Sequence, residues 1–264
     1  GVIFDGVKIV FIKYKTDHWD YSINNFNTFA LYDWLILFID LMKKPFSSRL
    51  MEYDFSSESP LATEFISTMY SKLNSNFNNP RVKMLFNEWD KTFSYIYGGV
   101  LTEKKILIDF NSIAKNIYKI EEDVYVDRFL FTIYTYYSLI IKLIACEISS
   151  IHLNLPFISP AKFLMQNTSL KDGLSYIEDG SFFKDVLNID NYIEGGFFSW
   201  YLECFDATTE SAVKDILAKI NEYNPSTLVD YNSSSKDLLR NLYQNVVPQK
   251  IRHDLGEYYT ADWL

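Results

Sequence analysis

A chain of 264 residues, 48% apolar and 17% aromatic, holds enough material for one large or two modest packed cores, which argues against a disordered or loop-rich protein. A formal net charge of -9, from 34 acidic against 25 basic residues, argues against a body whose main task is to grip nucleic-acid phosphates. Cys146 and Cys204 stand far apart with no metal-ligand spacing, which excludes a disulfide framework and fits a reduced intracellular protein.

In chain order, Val2 to Phe4 and Lys8 to Tyr14 are β-rich runs separated by Asp5-Gly6, a turn dipeptide, so a hairpin is predicted. Two strands alone are marginal in water, and this pair needs a sheet or a helix to pack on. Phe29 to Met42 reads as a helix apolar on most sides, ended by Lys43, Lys44 and Pro45. Phe46 to Ser59 carries serines and acids without periodicity and reads as a linker.

Ser59-Pro60 is a helix start, a capping side chain followed by proline at the first helical position, with Leu61, Phe65, Met69 and Leu73 on one face. The same grammar recurs at Asn79-Pro80, followed by the stripe Val82, Leu85, Phe86, Trp89, Phe93 and Ile96, with Gly98 and Gly99 as the stop. Trp89 and Phe93 read as core packing. Val124 to Ser150 is apolar around nearly its whole circumference and must be enclosed, so it is the candidate hub. Its apolar core, Phe129 to Cys146, is bounded by Arg128 and Glu147 and contains Lys142, and it reads as a buried helix rather than a membrane span. Tyr134, Tyr136, Tyr137, Lys142 and Glu147 are the polar exceptions, for which internal hydrogen-bond partners are expected.

From His152 the pattern is mixed, divided by Pro156, Pro160, Gly173, Gly180, Gly195 and Gly196, and irregular layers covering the hub are expected, including Phe182 to Leu187 and Phe197 to Phe205. Thr209 or a neighbour caps a helix over Ser211 to Tyr223 that Pro225 ends. Ser234 and Asp237 form a shortened capping box before a stripe of Leu238, Leu239, Leu242 and Tyr243, closed by Pro248. The predicted class is mainly α, an irregular helical bundle with a short N-terminal β-hairpin.

No complete catalytic constellation emerges, and no catalytic residue is assigned. His18, His152 and His253 are widely separated and outside any zinc spacing, so no metal site is expected. Glu121, Glu122 and Asp123 read as a solvated helix start, and Asp5 with Lys8 and Lys13 falls short of a nuclease metal cluster. Basic residues gather at Lys43, Lys44 and Arg49, at Lys104 and Lys105, and at Lys250, Arg252 and His253, where solvated surface is the ordinary reading.

The last stretch, IRHDLGEYYTADWL, brings together Arg252, Gly256, Glu257, Tyr258, Tyr259 and Thr260. It resembles the lead-in to the catalytic domain of adenine-specific DNA methyltransferases, notably the large single-chain enzymes of restriction-modification (type IIG-like) and phage-defence systems. In that family a G-E-x-Y-T-P segment follows a helical region, lines one side of the S-adenosylmethionine pocket and precedes the glycine-rich cofactor loop. Gly256, Glu257, Tyr259 and Thr260 match it, while Ala261 stands where the family has proline, and Trp263 follows at the next helix start. FNEWDKTFSYIYG, from Phe86 to Gly98, and DRFLFTIYTYYSLIIKLIACEI, from Asp127 to Ile148, look like the helical region such proteins carry before that domain. VIFDGVKIVFIKY, from Val2 to Tyr14, looks like the closing hairpin of their nuclease-like domain.

The resemblance implies three parts: 1–16 as the end of a nuclease-like domain, 17–248 as a helical spacer with a further division near 152–200, and 249–264 as the lead-in to a methyltransferase domain outside the chain. It implies S-adenosylmethionine as cofactor of the parent enzyme, with Gly256, Glu257, Tyr259 and Thr260 at the cofactor and none bound by this chain alone. Neither the glycine-rich loop nor the Asn/Asp-Pro-Pro-Tyr/Phe segment that holds a flipped adenine occurs in these residues, so the chain by itself is expected to be inactive. Double-stranded DNA is the implied partner through the parent, with weak or no binding by this acidic part, no membrane, no metal and a cytoplasmic location. The competing reading is a helical interaction or scaffold module with a tyrosine-rich tail.

Overall fold

The computed structural model describes residues 1–15, 18–101, 104–152, 159–166, 169–191, 196–225, 227, 244 and 248–255. The chain forms two compact units, Gly1–Lys44 and Pro45–Leu264. The architecture is mainly α, with a small antiparallel sheet at the N-terminus.

In the first unit, strands β1 (Val2–Phe4), β2 (Lys8–Lys15) and β3 (His18–Asn25) form a sheet in the order β1-β2-β3, followed by helix α1 (Thr28–Leu41). The hairpin turn is built as its residues demand. Gly6 takes the left-handed φ of 94° that L side chains avoid, and the Asp5 carboxylate accepts the backbone N–H groups of Val7 at 2.8 Å and Lys8 at 2.6 Å. Those amides hold the Asp5 carboxyl below its usual range. Its role is thus to close a turn.

The sequence reading stops at a two-stranded hairpin, whereas a third strand supplies the support the pair lacks. β3 pairs with β2 residue for residue from Lys8↔Asn25 to Lys15↔His18. Residues 18–25 therefore belong with the hairpin, in a compact unit that runs to Lys44. The register sets Ile3, Val10 and Ile23 in line and Ile12 beside Tyr21, giving one apolar face on which Ile3, Trp19, Tyr21 and Ile23 are exposed.

The second unit is helical. It contains α2 (Ser48–Phe55), α3 (Pro60–Ser75), α4 (Pro80–Leu101), α5 (Lys104–Asn116), α6 (Val126–His152), α7 (Pro160–Gln166), α8 (Leu170–Glu178), α9 (Ala207–Asn221) and α10 (Gln249–Asp254). A π-helical turn (Phe182–Val186) and a 3-10 helix (Phe197–Cys204) lie between α8 and α9. α6 is the hub, packed against α3, α4, α7 and the 3-10 helix, with Phe129, Leu130, Phe131, Ile133, Ile140 and Ile144 fully enclosed. By length and composition α6 could cross a membrane, yet most of it is buried inside the protein.

Local signals explain most helix starts. The Ser59 hydroxyl accepts the N–H of Ala62 at 3.2 Å with Pro60 at the first position of α3, and the Asn79 side chain accepts from Arg81 at 2.9 Å at the head of α4. α8 ends where Gly180 turns to a φ of 84°.

Five expectations are corrected. Residues read as a linker contain α2, whose Met51 and Phe55, one turn apart, are fully buried. Burial of each contributes about 1.5–3 kcal/mol, enough to hold a helix too short to be stable alone. Gly98 and Gly99 do not stop α4, because glycine ends a helix by turning to positive φ and both are helical here. Ile96, assigned to the buried stripe, is exposed. α9 starts at Ala207, four residues before the expected start, because the cap is Asp206, which accepts from Thr208 and Thr209, each at 3.1 Å. The stretch read as irregular layers includes the regular helices α7 and α8. The capping box at Ser234 and the stripe from Leu238 to Tyr243 lie outside the described residues.

Candidate functional site

The family-like segment follows α10. Within α10 and the residue after it, Ile251 and Leu255 are buried members of the main core, so the backbone is fixed to the helical body up to Leu255. Outside the core contact, Lys250 pairs with Asp109 of α5 at 2.6 Å and the Arg252 guanidinium donates to the Gln244 carbonyl at 2.8 Å. Two members of that basic cluster therefore have partners within the protein. Gly256, Glu257, Tyr259 and Thr260, the assigned cofactor residues, lie outside the described residues.

The other concentration of chemistry is a polar seam buried along α6. Near its first half, the Trp200 indole N–H donates to Thr135 Oγ1 at 2.8 Å, and Thr135 donates in turn to the Phe131 carbonyl at 2.7 Å. Two turns on, the Lys142 ammonium meets Glu178 Oε2, while the Tyr201 hydroxyl donates to Glu178 Oε1 at 2.8 Å. Glu178 is 3% exposed, so both carboxylate oxygens are satisfied where water does not compete. Toward the C-terminal end, Glu147 Oε1 accepts from the Ser159 hydroxyl at 2.8 Å and the Ala161 N–H at 2.7 Å, placing a carboxylate at the start of α7.

Burial pushes the Tyr201 hydroxyl pKa well above its ordinary value, and the adjacent Glu178 charge adds to the effect. Cys146 is shifted upward by burial first and by Glu147 and Glu178 next. A thiol so placed is held as the inert neutral form. The seam has the properties of a structural clasp that pins α7, α8 and the 3-10 helix to the hub.

The sequence singled out Lys142 and Glu147, and the structure gives both buried partners. It missed Glu178, Thr135, Trp200 and Tyr201. A signal existed for Glu178, which shares the buried face of α8 with Leu170, Leu174 and Ile177 at helical spacing.

The remaining candidates do not converge. His18 is exposed on β3, His253 is exposed on α10 and His152 is the last residue of α6. Glu121, Glu122 and Asp123 are exposed in the loop before α6, with Glu121 paired to Lys115 at 3.0 Å. Arg49, Lys104 and Lys105 are exposed. Among the described residues, no group of three or more His, Cys, Asp or Glu is placed to hold a metal ion. The chain matches no family model, no curated protein and no solved structure.

Proposed function

We propose that this chain is the helical spacer before the catalytic domain of an S-adenosylmethionine-dependent, adenine-specific DNA methyltransferase of the type IIG-like or phage-defence kind, and that it is not itself catalytic. The observation that carries the reading is that Gly256, Glu257, Tyr259 and Thr260 follow, in sequence, a helix seated in the core through Ile251 and Leu255. A lead-in that starts from a fixed point lets a rigid body set where chemistry falls relative to recognised DNA, because positioning by packed helices is more exact than positioning by a tether.

On this reading Tyr259 and Thr260 close over the cofactor, and the bond to DNA is made by other parts of the parent, since an acidic body repels phosphates. The N-terminal strands support an endonuclease domain joined upstream. Two unpaired thiols, Cys146 and Cys204, fit a cytoplasmic location.

The test is calorimetric titration of S-adenosylmethionine against the full-length polypeptide that contains this chain, against the same polypeptide with Tyr259→Ala and Thr260→Val, and against the 264-residue chain alone. The expected result is binding by the first, weakening of about tenfold or more in the second for the lost hydroxyl and ring contacts, and none by the third. Absence of binding to the full-length polypeptide would replace this reading with the helical interaction module.

A further inference from the structure

The hydroxyl of Tyr118 is completely enclosed and, among the described residues, has no hydrogen-bond partner. Buried hydroxyls are nearly always satisfied, by protein or by ordered water, because desolvating one without compensation is costly. Tyr118 follows α5 and stands edge-on to Phe129 of the hub, with ring centroids 5.5 Å apart. Tyr136, about two turns along α6 from Phe129, is equally enclosed, and its hydroxyl reaches the Phe55 carbonyl only at 3.4 Å. The Ser59 hydroxyl is its second partner, which leaves Tyr136 a long, weak donated bond and one open accepting position.

The two hydroxyls are electrostatic neighbours. Burial is the first cause of the raised Tyr118 pKa, and the neighbouring Tyr136 and Glu58, whose ionised forms would repel a Tyr118 phenolate, come next. A cleft of about 430 Å³ opens over the same joint. Its lining includes Glu58 and Pro60, on either side of Ser59, and Ile117 and Lys119, on either side of Tyr118. Solvent therefore comes to the joint from outside, while the orphan hydroxyl lies within.

We propose that the joint between the end of α5, the turn before α3 and the hub is a binding site for a single water molecule, held between the Tyr118 and Tyr136 hydroxyls with the Glu58 carboxylate as its outward partner. Tyr118 donates its O–H to the water. The water donates one hydrogen to the Tyr136 oxygen and the other to Glu58. Three polar partners are what an internal water ordinarily has. Bound in this way it ties three separately coded segments together, and it accounts for a tyrosine where phenylalanine would fill the same volume.

The sign of one substitution separates this site from a truly unpartnered hydroxyl. Tyr118→Phe should lower the Tm of the chain, and by clearly less in a Tyr136→Phe background, because the two hydroxyls act through one water. A rise in Tm on Tyr118→Phe would overturn the proposal, since deleting an unsatisfied buried hydroxyl relieves the folded state. Equal losses in both backgrounds would also overturn it. A crystal structure at a resolution that orders solvent should show a peak within hydrogen-bond distance of both hydroxyls, and a dry joint would refute the site.

Discussion

The Tyr201 hydroxyl and the Glu178 carboxylate form a 2.8 Å hydrogen bond between two residues almost wholly removed from water, with the Lys142 ammonium on the other carboxylate oxygen. Removing one member of such a group costs more than removing the group, because a charge is left buried without its counterpart. Lys142→Met should destabilise by about 3–5 kcal/mol and Tyr201→Phe by about 1–3 kcal/mol. Lys142→Met combined with Glu178→Leu should cost less than Lys142→Met alone. Urea denaturation of the variants checks all three.

Glu147→Ala should loosen α7 selectively. The Ala161 N–H it satisfies is one of the first amides of a short helix and has no helical acceptor. The expected cost is about 1–3 kcal/mol. Hydrogen exchange should show faster amides across Pro160–Gln166 with little change in α3, and uniform acceleration would contradict the local role.

At α9 the cap is Asp206. Asp206→Ala removes the acceptor for Thr208 and Thr209 and the ion pair with Lys72, and should cost about 1 kcal/mol or somewhat more. Asp206→Asn should keep much of that contribution. Thermal melts of the two variants decide whether capping or charge dominates.

Tyr118, Tyr136 and Tyr201 all have pKa values raised by burial above the ordinary 10.0. Their folded-state values lie above the unfolded ones, so their contribution is intact below pH 10 and is lost as pH rises above it. Each tyrosine that ionises only in the unfolded chain should steepen the decline by about 1.4 kcal/mol per pH unit. Stability measured from pH 9 to 12 should fall more steeply than in the Tyr118→Phe, Tyr136→Phe variant.

What could be read in the sequence follows how local each signal is. Ser59-Pro60 and Asn79-Pro80 announce helices because cap and first turn are adjacent in sequence. The hub is legible because only an enclosed helix tolerates apolar residues all round. β3 has a usable signal, since Trp19, Tyr21 and Ile23 alternate with His18, Asp20, Ser22 and Asn24, but its polar half masks it. α2 has only Met51 and Phe55 to declare it and depends on distant Tyr223, whose single O–H lies 2.7 Å from the Asp54 carboxylate and 3.0 Å from the Leu50 carbonyl. The seam is half legible for the same reason. Lys142 stands out as a charge in an apolar run, whereas its partner Glu178 is 36 residues away and no local pattern connects them.

The hub also has a consequence during synthesis. Trp200, which closes over Thr135, is encoded 65 residues later, so at about 5–20 residues per second the apolar flank of α6 stays uncovered for roughly 3–13 seconds after it is made. In that interval the ribosome presents a stretch as long and as apolar as a membrane anchor, with Lys142 in its C-terminal half as a charge that is costly inside lipid. Lys142 thus carries its charge in the nascent segment before its carboxylate partner, Glu178, has been made.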